Sequence, residues 1–143
     1  MDVLLLWVGK GVALILLLAG ASCCDVRSRR VPDKYSMAIA VVAVVWPDPV
    51  RWWGILCALP FFVAALTVGG IGGADIKIMG AAGMVLGLMN GMLAIVIGLT
   101  AMLILHVTKC LFLQEKKWKQ SYPLVPFLAI GIVFEYLTLI PRQ

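Results

Sequence analysis

Two aspartates are the residues of this sequence whose type and setting best fit a chemical role. Asp25 directly follows the first apolar stretch of the chain, and Asp75 follows the third. Ionisable groups beside membrane segments are energetically expensive and are usually functional. Two carboxyls at one site can divide acid and base roles, one protonated and one ionised, and such a pair can split a peptide bond with water. The pair therefore predicts hydrolysis that requires neither a metal nor another cofactor.

A glycine-rich segment surrounds the second aspartate. Residues 69–77 read Gly-Gly-Ile-Gly-Gly-Ala-Asp-Ile-Lys, and irregular backbone of this kind is tolerated at a membrane only where protein or water surrounds it. We predict that Gly72 and Gly73 let a substrate strand approach closely. Lys77 is a candidate to bind the substrate or to lower the pKa of Asp75. Anchoring of the chain with its basic loops inside explains Lys77 equally well. A plain solvated turn remains the alternative for Asp75, and a loop ion pair with the neighbouring arginines remains the alternative for Asp25.

The composition indicates an integral membrane protein. Of the 143 residues, 63% are hydrophobic and 13% are charged, and the mean hydropathy is +1.05. Soluble domains of this size do not carry so much apolar surface. We predict an all-α, polytopic membrane protein in the lipid bilayer, with a single domain over residues 1–143. The net charge of +5 is better explained by membrane topology than by nucleic-acid binding.

Six apolar segments predict about six transmembrane helices. Residues 76–107 form one apolar run of 32 residues, which is about 48 Å as a helix and too long for a single span. We predict a turn at Asn90-Gly91 that divides this run. Three glycines spaced by four, Gly83, Gly87 and Gly91, are expected on one face of the fourth helix, where backbones can pack closely. The six segments are residues 3–24, 35–46, 52–68, 76–90, 91–107 and 123–140.

The distribution of basic residues predicts how the chain is oriented in the membrane. With both ends outside, the loops 25–34, 69–77 and 109–121 lie in the cytoplasm and hold 9 of the 12 basic residues, as the positive-inside rule requires. Both aspartates then lie at the cytoplasmic face of the cell membrane. The first segment begins with Asp2 and without an early Lys or Arg, so we expect a retained span rather than a signal peptide. An aromatic belt at the interfaces is predicted for Trp46, Trp52, Trp53 and Trp118.

Three blocks of the sequence resemble the prepilin peptidases, the aspartic membrane endopeptidases that process type IV pilins. Residues 25–33, Asp-Val-Arg-Ser-Arg-Arg-Val-Pro-Asp, are similar to the family's first aspartate with its basic stretch. Residues 72–77 are similar to its Gly-x-Gly-Asp-x-Lys motif. Residues 122–131, Tyr-Pro-Leu-Val-Pro-Phe-Leu-Ala-Ile-Gly, are similar to its Pro-x-x-Pro-Phe-Leu-Ala-x-Gly segment. Order and spacing fit over almost the whole chain.

The resemblance implies that Asp25 and Asp75 are the catalytic pair. It also implies a prepilin-like or preflagellin-like protein substrate, whose short basic leader is cut on the cytoplasmic side of its hydrophobic helix. The chain is similar to the small, peptidase-only form, since it has no Cys-x-x-Cys pairs or methyltransferase domain. Ala74 stands where the family has glycine, and it would be strained if that position required a positive φ.

For the other polar residues and the cysteines we expect structural roles. His106 is expected to pack at the interface, because no Ser or Cys partner is evident. Arg27, Arg29 and Arg30 are expected to anchor to lipid headgroups. Lys10 and Glu135, the two charges inside spans, are expected to pair or to snorkel outward at similar depth. The cysteines, Cys23, Cys24, Cys57 and Cys110, are expected to be free thiols without a zinc site.

Three other functions compete with a prepilin peptidase. A presenilin-like protease would cut inside helices and shares a Gly-x-Gly-Asp-like element, but it leaves the Asp25 block unexplained. A small transporter or channel subunit could use the two aspartates as a proton or cation site, although both lie near the membrane face and no inverted repeat is present. An inactive assembly factor is the third alternative, and Ala74 favours it.

Overall fold

A computed structural model describes residues 2–45, 50–69, 71–113 and 122–139. The described chain is helical and contains no strand, which confirms the all-α prediction for this part of the protein. The described residues form six α-helices: α1 (Asp2–Ser28), α2 (Asp33–Val45), α3 (Leu59–Thr67), α4 (Gly73–Leu86), α5 (Leu88–Leu113) and α6 (Val125–Thr138). A 3₁₀ segment, Arg51–Ala58, leads directly into α3.

Two of these helices are long and apolar enough to cross a membrane, over Leu4–Ser28 and Leu88–Phe112. Two further apolar stretches, Arg51–Thr67 and Val125–Thr138, are shorter than a simple span. The structure thus supports a membrane protein, and the count of six spans stays a prediction. Of the predicted aromatic belt, Trp52 and Trp53 are exposed, whereas Trp46 and Trp118 lie outside the described residues, as do Lys116, Lys117 and Lys119.

The predicted turn at Asn90-Gly91 is wrong, because the long apolar run breaks at Gly87. Gly87 has a φ of +89°, which ends α4 and begins α5. Asn90 lies in the first turn of α5, where its side-chain amide donates to the Leu86 carbonyl at 3.4 Å. An asparagine that bonds to the carbonyl four residues earlier is accommodated within a helix. The break therefore falls at the glycine whose backbone is left-handed.

Close packing around α4 explains the glycines that were expected on one helix face. Gly83 lies in α4, Gly87 lies at the break and Gly91 lies in α5, so the three do not share a helix. A methyl group at Gly83 would clash with the Gly54 backbone in the 3₁₀ segment, and one at Gly91 would meet the Cys57 side chain. The prediction of close backbone approach is confirmed, although the partner is the 3₁₀ segment.

Helix α4 is the centre of the bundle. Eight of its residues are buried, and it packs against the 3₁₀ segment, α2, α5 and α6. Helix α1 packs on α2 and α6 but, among the described residues, does not pack directly against α4. Helices α5 and α6 cross closely where Gly98 meets the backbone of Phe127 and Gly131 meets that of Ala94. This arrangement leaves a space between the end of α1, the start of α4 and the second half of α5.

Candidate functional site

Asp25 lies in the last turn of α1 and is buried, with 9% of its surface exposed. Its Oδ2 accepts a hydrogen bond from the backbone N–H of Val125 at 3.1 Å. Val125 is the first residue of α6, so the carboxylate satisfies one of the N–H groups that a helix leaves without an internal partner. A negative charge is also favoured at the positive end of a helix. The third sequence block, residues 122–131, thus contributes to the setting of the first aspartate.

Asp75 lies in the first turn of α4. The glycine-rich loop ends at Gly72, which is extended, with a φ of −68° and a ψ of 138°, and the Asp75 N–H donates to the Gly72 carbonyl at 3.1 Å. Ala74 is helical and does not have a positive φ, which removes the strain expected from an alanine at that position. Among the described residues of this loop, Gly69 is left-handed, with a φ of +72°.

Both aspartates line one pocket of about 590 Å³, here called the aspartate pocket. It is bounded by the end of α1, the loop and first turn before the body of α4, the second half of α5 and the chain that leads into α6. The residues that line it are acidic, basic and aromatic, together with apolar residues of α5. The lining residues are Asp25, Arg29, Ile71, Gly72, Asp75, Leu99, Met102, Leu103, His106, Tyr122, Pro123 and Leu124.

The aspartates interact electrostatically across this pocket. Asp75 lies at the loop end of α4, outside the two helices long enough to span a membrane. Burial, which is the larger cause, and the negative charge of Asp25 raise the pKa of Asp75 to about 6, although a hydrogen bond from the Gly72 backbone partly opposes them. Like charges near one another and removal from water both disfavour the ionised form. Asp75 therefore keeps its proton to a higher pH than an exposed aspartate does.

The structure distributes the predicted site residues between two regions. Gly72 lines the aspartate pocket together with Asp25 and Asp75, whereas Gly73 and Lys77 are not among its lining residues. Lys77 instead pairs with Asp33 on α2, with 2.7 Å between Nζ and Oδ2, and both side chains are exposed. Neither the pKa of Asp75 nor the wall of the pocket depends on Lys77. A role of Lys77 in substrate binding stays a prediction.

Sequence reasoning missed three polar residues of the pocket. His106 was expected only to pack, and its ring does make an edge-to-face contact with Tyr122 at 5.4 Å between centroids, but it also lines the pocket. Arg29 was assigned to lipid headgroups. A signal was present for His106, since Leu99, Met102, Leu103 and His106 recur at helical spacing on one face of α5. Tyr122 opens the third sequence block.

The remaining polar predictions have mixed outcomes. The four cysteines are free thiols, as predicted. Lys10 and Glu135 are each 7% exposed, and they lie on helices that pack together, near the stacked rings of Trp7 and Tyr136. Their location on neighbouring helices is consistent with the expected pairing, which stays a prediction. Among the described residues, no three His, Cys, Asp or Glu side chains are grouped so that they could hold a metal ion.

Comparison with known proteins supplies an independent finding. A family model described as the type IV leader peptidase family matches residues 12–107, which is 96 of the 143 residues. The matched range contains both aspartates but ends before the third block, which includes Val125. None of the curated proteins and none of the solved structures matches the chain significantly.

Proposed function

Because this chain belongs to the type IV leader peptidase family, we propose that it is a membrane aspartic endopeptidase that removes short basic leaders from type IV prepilin-like or preflagellin-like proteins. Asp25 and Asp75 are its catalytic residues, and no metal or other cofactor takes part. A single transmembrane peptidase domain over residues 1–143 carries the activity. It spans the cell membrane several times, with its active site at the cytoplasmic face.

One observation carries this proposal: two carboxyls from separate helices line one pocket in different environments. Asp25 accepts the Val125 N–H at the start of α6, while burial and the charge of Asp25 raise the pKa of Asp75 to about 6. Two carboxyls held in different environments can take the separate roles of acid and base. A transporter or an inactive homologue does not require one carboxyl to act as an acid and the other as a base.

In the proposed mechanism Asp25 is the base and Asp75 the acid. Ionised Asp25 takes a proton from water as the water oxygen attacks the scissile carbonyl carbon, and Asp75 gives its proton to the carbonyl oxygen. The resulting tetrahedral diol collapses when one hydroxyl returns a proton to Asp75. Asp25 gives its proton to the leaving nitrogen as the C–N bond breaks. Both carboxyls then have their starting protonation, and the products are an acid and an amine.

The shape and charge of the pocket support a substrate that is charged on one side of the bond and apolar on the other. Leu99, Met102 and Leu103 form an apolar wall along α5, and α5 is one of the two helices long enough to span a membrane. A hydrophobic helix could leave the pocket along this wall without exposing apolar surface to water. The ionised carboxylate of Asp25 attracts a basic leader on the other side.

The test is co-expression of the protein with a candidate prepilin, with removal of the leader followed by the size of the pilin on a gel. We expect the unaltered protein to process the pilin, and we expect Asp25→Asn and Asp75→Asn to lower the rate by about 10²–10⁴-fold, the usual contribution of a positioned acid or base. Asp33→Asn is the matched control, because Asp33 is an exposed carboxyl that pairs with Lys77 outside the pocket. Equal processing by all variants would contradict the proposal.

A further inference from the structure

Arg29 has an unusual backbone beside the aspartate pocket. It follows the last residue of α1 with a φ of +52°, and it is the non-glycine residue of the described chain that has a positive φ. Its N–H donates to the Asp25 carbonyl at 2.9 Å. The turn that ends α1 therefore places Arg29 directly after the helical turn that contains Asp25.

Glycine is the usual residue at such a position, because a side chain in the left-handed conformation is strained. Neighbouring contacts hold the turn in place: the Ser28 hydroxyl donates to the Cys24 carbonyl at 2.9 Å and lies 3.1 Å from the Arg30 carbonyl. None of these contacts uses the side chain of Arg29. Non-glycine residues in this conformation cluster at active sites and ligand clamps, so the side chain itself is the feature to explain.

Arg29 is one of the residues that line the aspartate pocket, together with both aspartates. Its surface is exposed, and no carboxylate of the described chain forms an ion pair with it. A guanidinium offers five N–H donors in a planar fork that matches a carboxylate or two neighbouring carbonyl oxygens. Its donors are thus available beside the pocket, one residue beyond the end of α1.

We propose that Arg29 is a substrate-positioning residue, whose guanidinium binds an oxygen of the substrate peptide beside the scissile bond. The oxygen belongs either to the main chain or to an acidic side chain of the substrate, and both present the same acceptor chemistry. This inference rests on the proposed function. It replaces the headgroup anchoring expected for Arg29 from the sequence, while Arg30, which is not among the residues that line the pocket, keeps that role.

The test uses the full chain, reconstituted in vesicles with a reporter that joins a short basic leader to a hydrophobic helix and has acidic residues near the bond to be cleaved. We expect Arg29→Gly to lower kcat/KM by about 10- to 100-fold, mainly through KM, because a charge-assisted hydrogen bond to substrate is lost. We expect the same variant to raise the apparent unfolding midpoint by roughly 2–4 °C, since glycine relieves the backbone. Arg29→Lys should recover part of the lost kcat/KM.

Arg30→Ala is the matched control, because it removes one positive charge from the same membrane face without changing the pocket. We expect its kcat/KM to stay within about twofold of the unaltered protein. Equal losses in Arg29→Gly and Arg30→Ala would assign both residues to headgroups and overturn the inference. An unchanged kcat/KM in Arg29→Gly, or a joint loss of activity and stability, would overturn it as well.

A second reporter, with the acidic residues near the cleaved bond replaced by their amides, separates the two sources of the oxygen. If the effect of Arg29→Gly disappears with this reporter, the partner is a side-chain carboxylate, and if the effect persists, the partner is a main-chain carbonyl. The Asp75→Asn variant distinguishes the proposed peptidase activity from the proposed role of Arg29. Cleavage that depends on Asp75 but not on Arg29 would leave the peptidase standing and remove the role of Arg29, whereas no cleavage by the unaltered protein would remove both.

Discussion

The Asp25 carboxylate, at the end of α1, accepts a hydrogen bond from the backbone N–H of Val125, one hundred residues later in the chain, at 3.1 Å. This bond joins the first sequence block to the third, and it holds the start of α6 at the wall of the aspartate pocket. Asp25 therefore has two roles. Its carboxylate accepts a backbone N–H at the N-terminus of α6, and it is one member of the candidate catalytic pair.

Two variants of Asp25 distinguish these two roles. Asp25→Asn retains an oxygen that can accept the Val125 N–H, so we expect it to lower the free energy of unfolding by less than about 1 kcal/mol. Asp25→Ala leaves that N–H buried and without a partner, and we expect a loss of roughly 1–3 kcal/mol. In both variants we expect the rate of cleavage to fall by about 10²–10⁴-fold. Thermal unfolding in detergent measures the difference, and equal stability of the two variants would show that the bond does not support α6.

The pH dependence of cleavage reports on Asp75. If Asp75 must be protonated to act, kcat/KM should fall about tenfold per pH unit above its pKa of about 6. The measurement is kcat/KM in vesicles from roughly pH 5 to pH 8, with the unfolding midpoint followed in parallel to exclude denaturation. A value of kcat/KM that rises steadily to pH 8 would instead assign Asp75 as the base.

The same shift predicts a gain in stability for an inactive variant. The pKa of Asp75 is raised in the folded protein, so its ionised form is disfavoured there, and the stability linked to its proton is lost as the pH rises through about 6. Asp75→Asn should therefore raise the free energy of unfolding at pH 8 by roughly 1–2 kcal/mol, a figure reduced because part of the carboxyl is exposed. The difference should vanish below about pH 4, where Asp75 is neutral in both states. Equal stability at pH 8 would contradict the burial of Asp75.

Two glycines test the packing that supports α4. A methyl group at Gly54 would overlap the Gly83 backbone, whereas one at Gly9 would meet no atom within 4 Å. We expect Gly54→Ala to lower the free energy of unfolding by roughly 1–3 kcal/mol through overpacking. Gly9→Ala, the matched control on α1, should be neutral or stabilising, because alanine is the better helix former. Similar midpoints for the two variants would contradict the close approach of the 3₁₀ segment to α4.

The predicted pair of Lys10 and Glu135 can be tested by a double-mutant cycle. Both are buried on neighbouring helices, and removal of one partner would leave the other charge without compensation, at a cost of roughly 3–5 kcal/mol. We expect Lys10→Met and Glu135→Leu to destabilise strongly when separate and less when combined. Additive losses would show that the two charges do not interact.

Local features of the sequence were sufficient to predict the helical class and to single out the two aspartates as candidates. Long apolar runs can be satisfied only by elements that close their own backbone hydrogen bonds, so helices followed from composition. Asp25 and Asp75 stood out because carboxyls are scarce beside membrane segments. The glycine-rich loop before Asp75 was also recognisable, since its residues favour irregular backbone.

Tertiary packing decided the features that depend on contacts between distant residues. The sequence could not show that the chain breaks at Gly87 rather than Asn90, because the asparagine amide finds a carbonyl partner within the folded helix. It could not show that Lys77 pairs with Asp33 or that Arg29 and His106 line the pocket. It also could not show that the pKa of Asp75 is raised. Burial and electrostatic interaction arise only when helices from separate parts of the chain meet, and no local pattern of residues specifies that meeting.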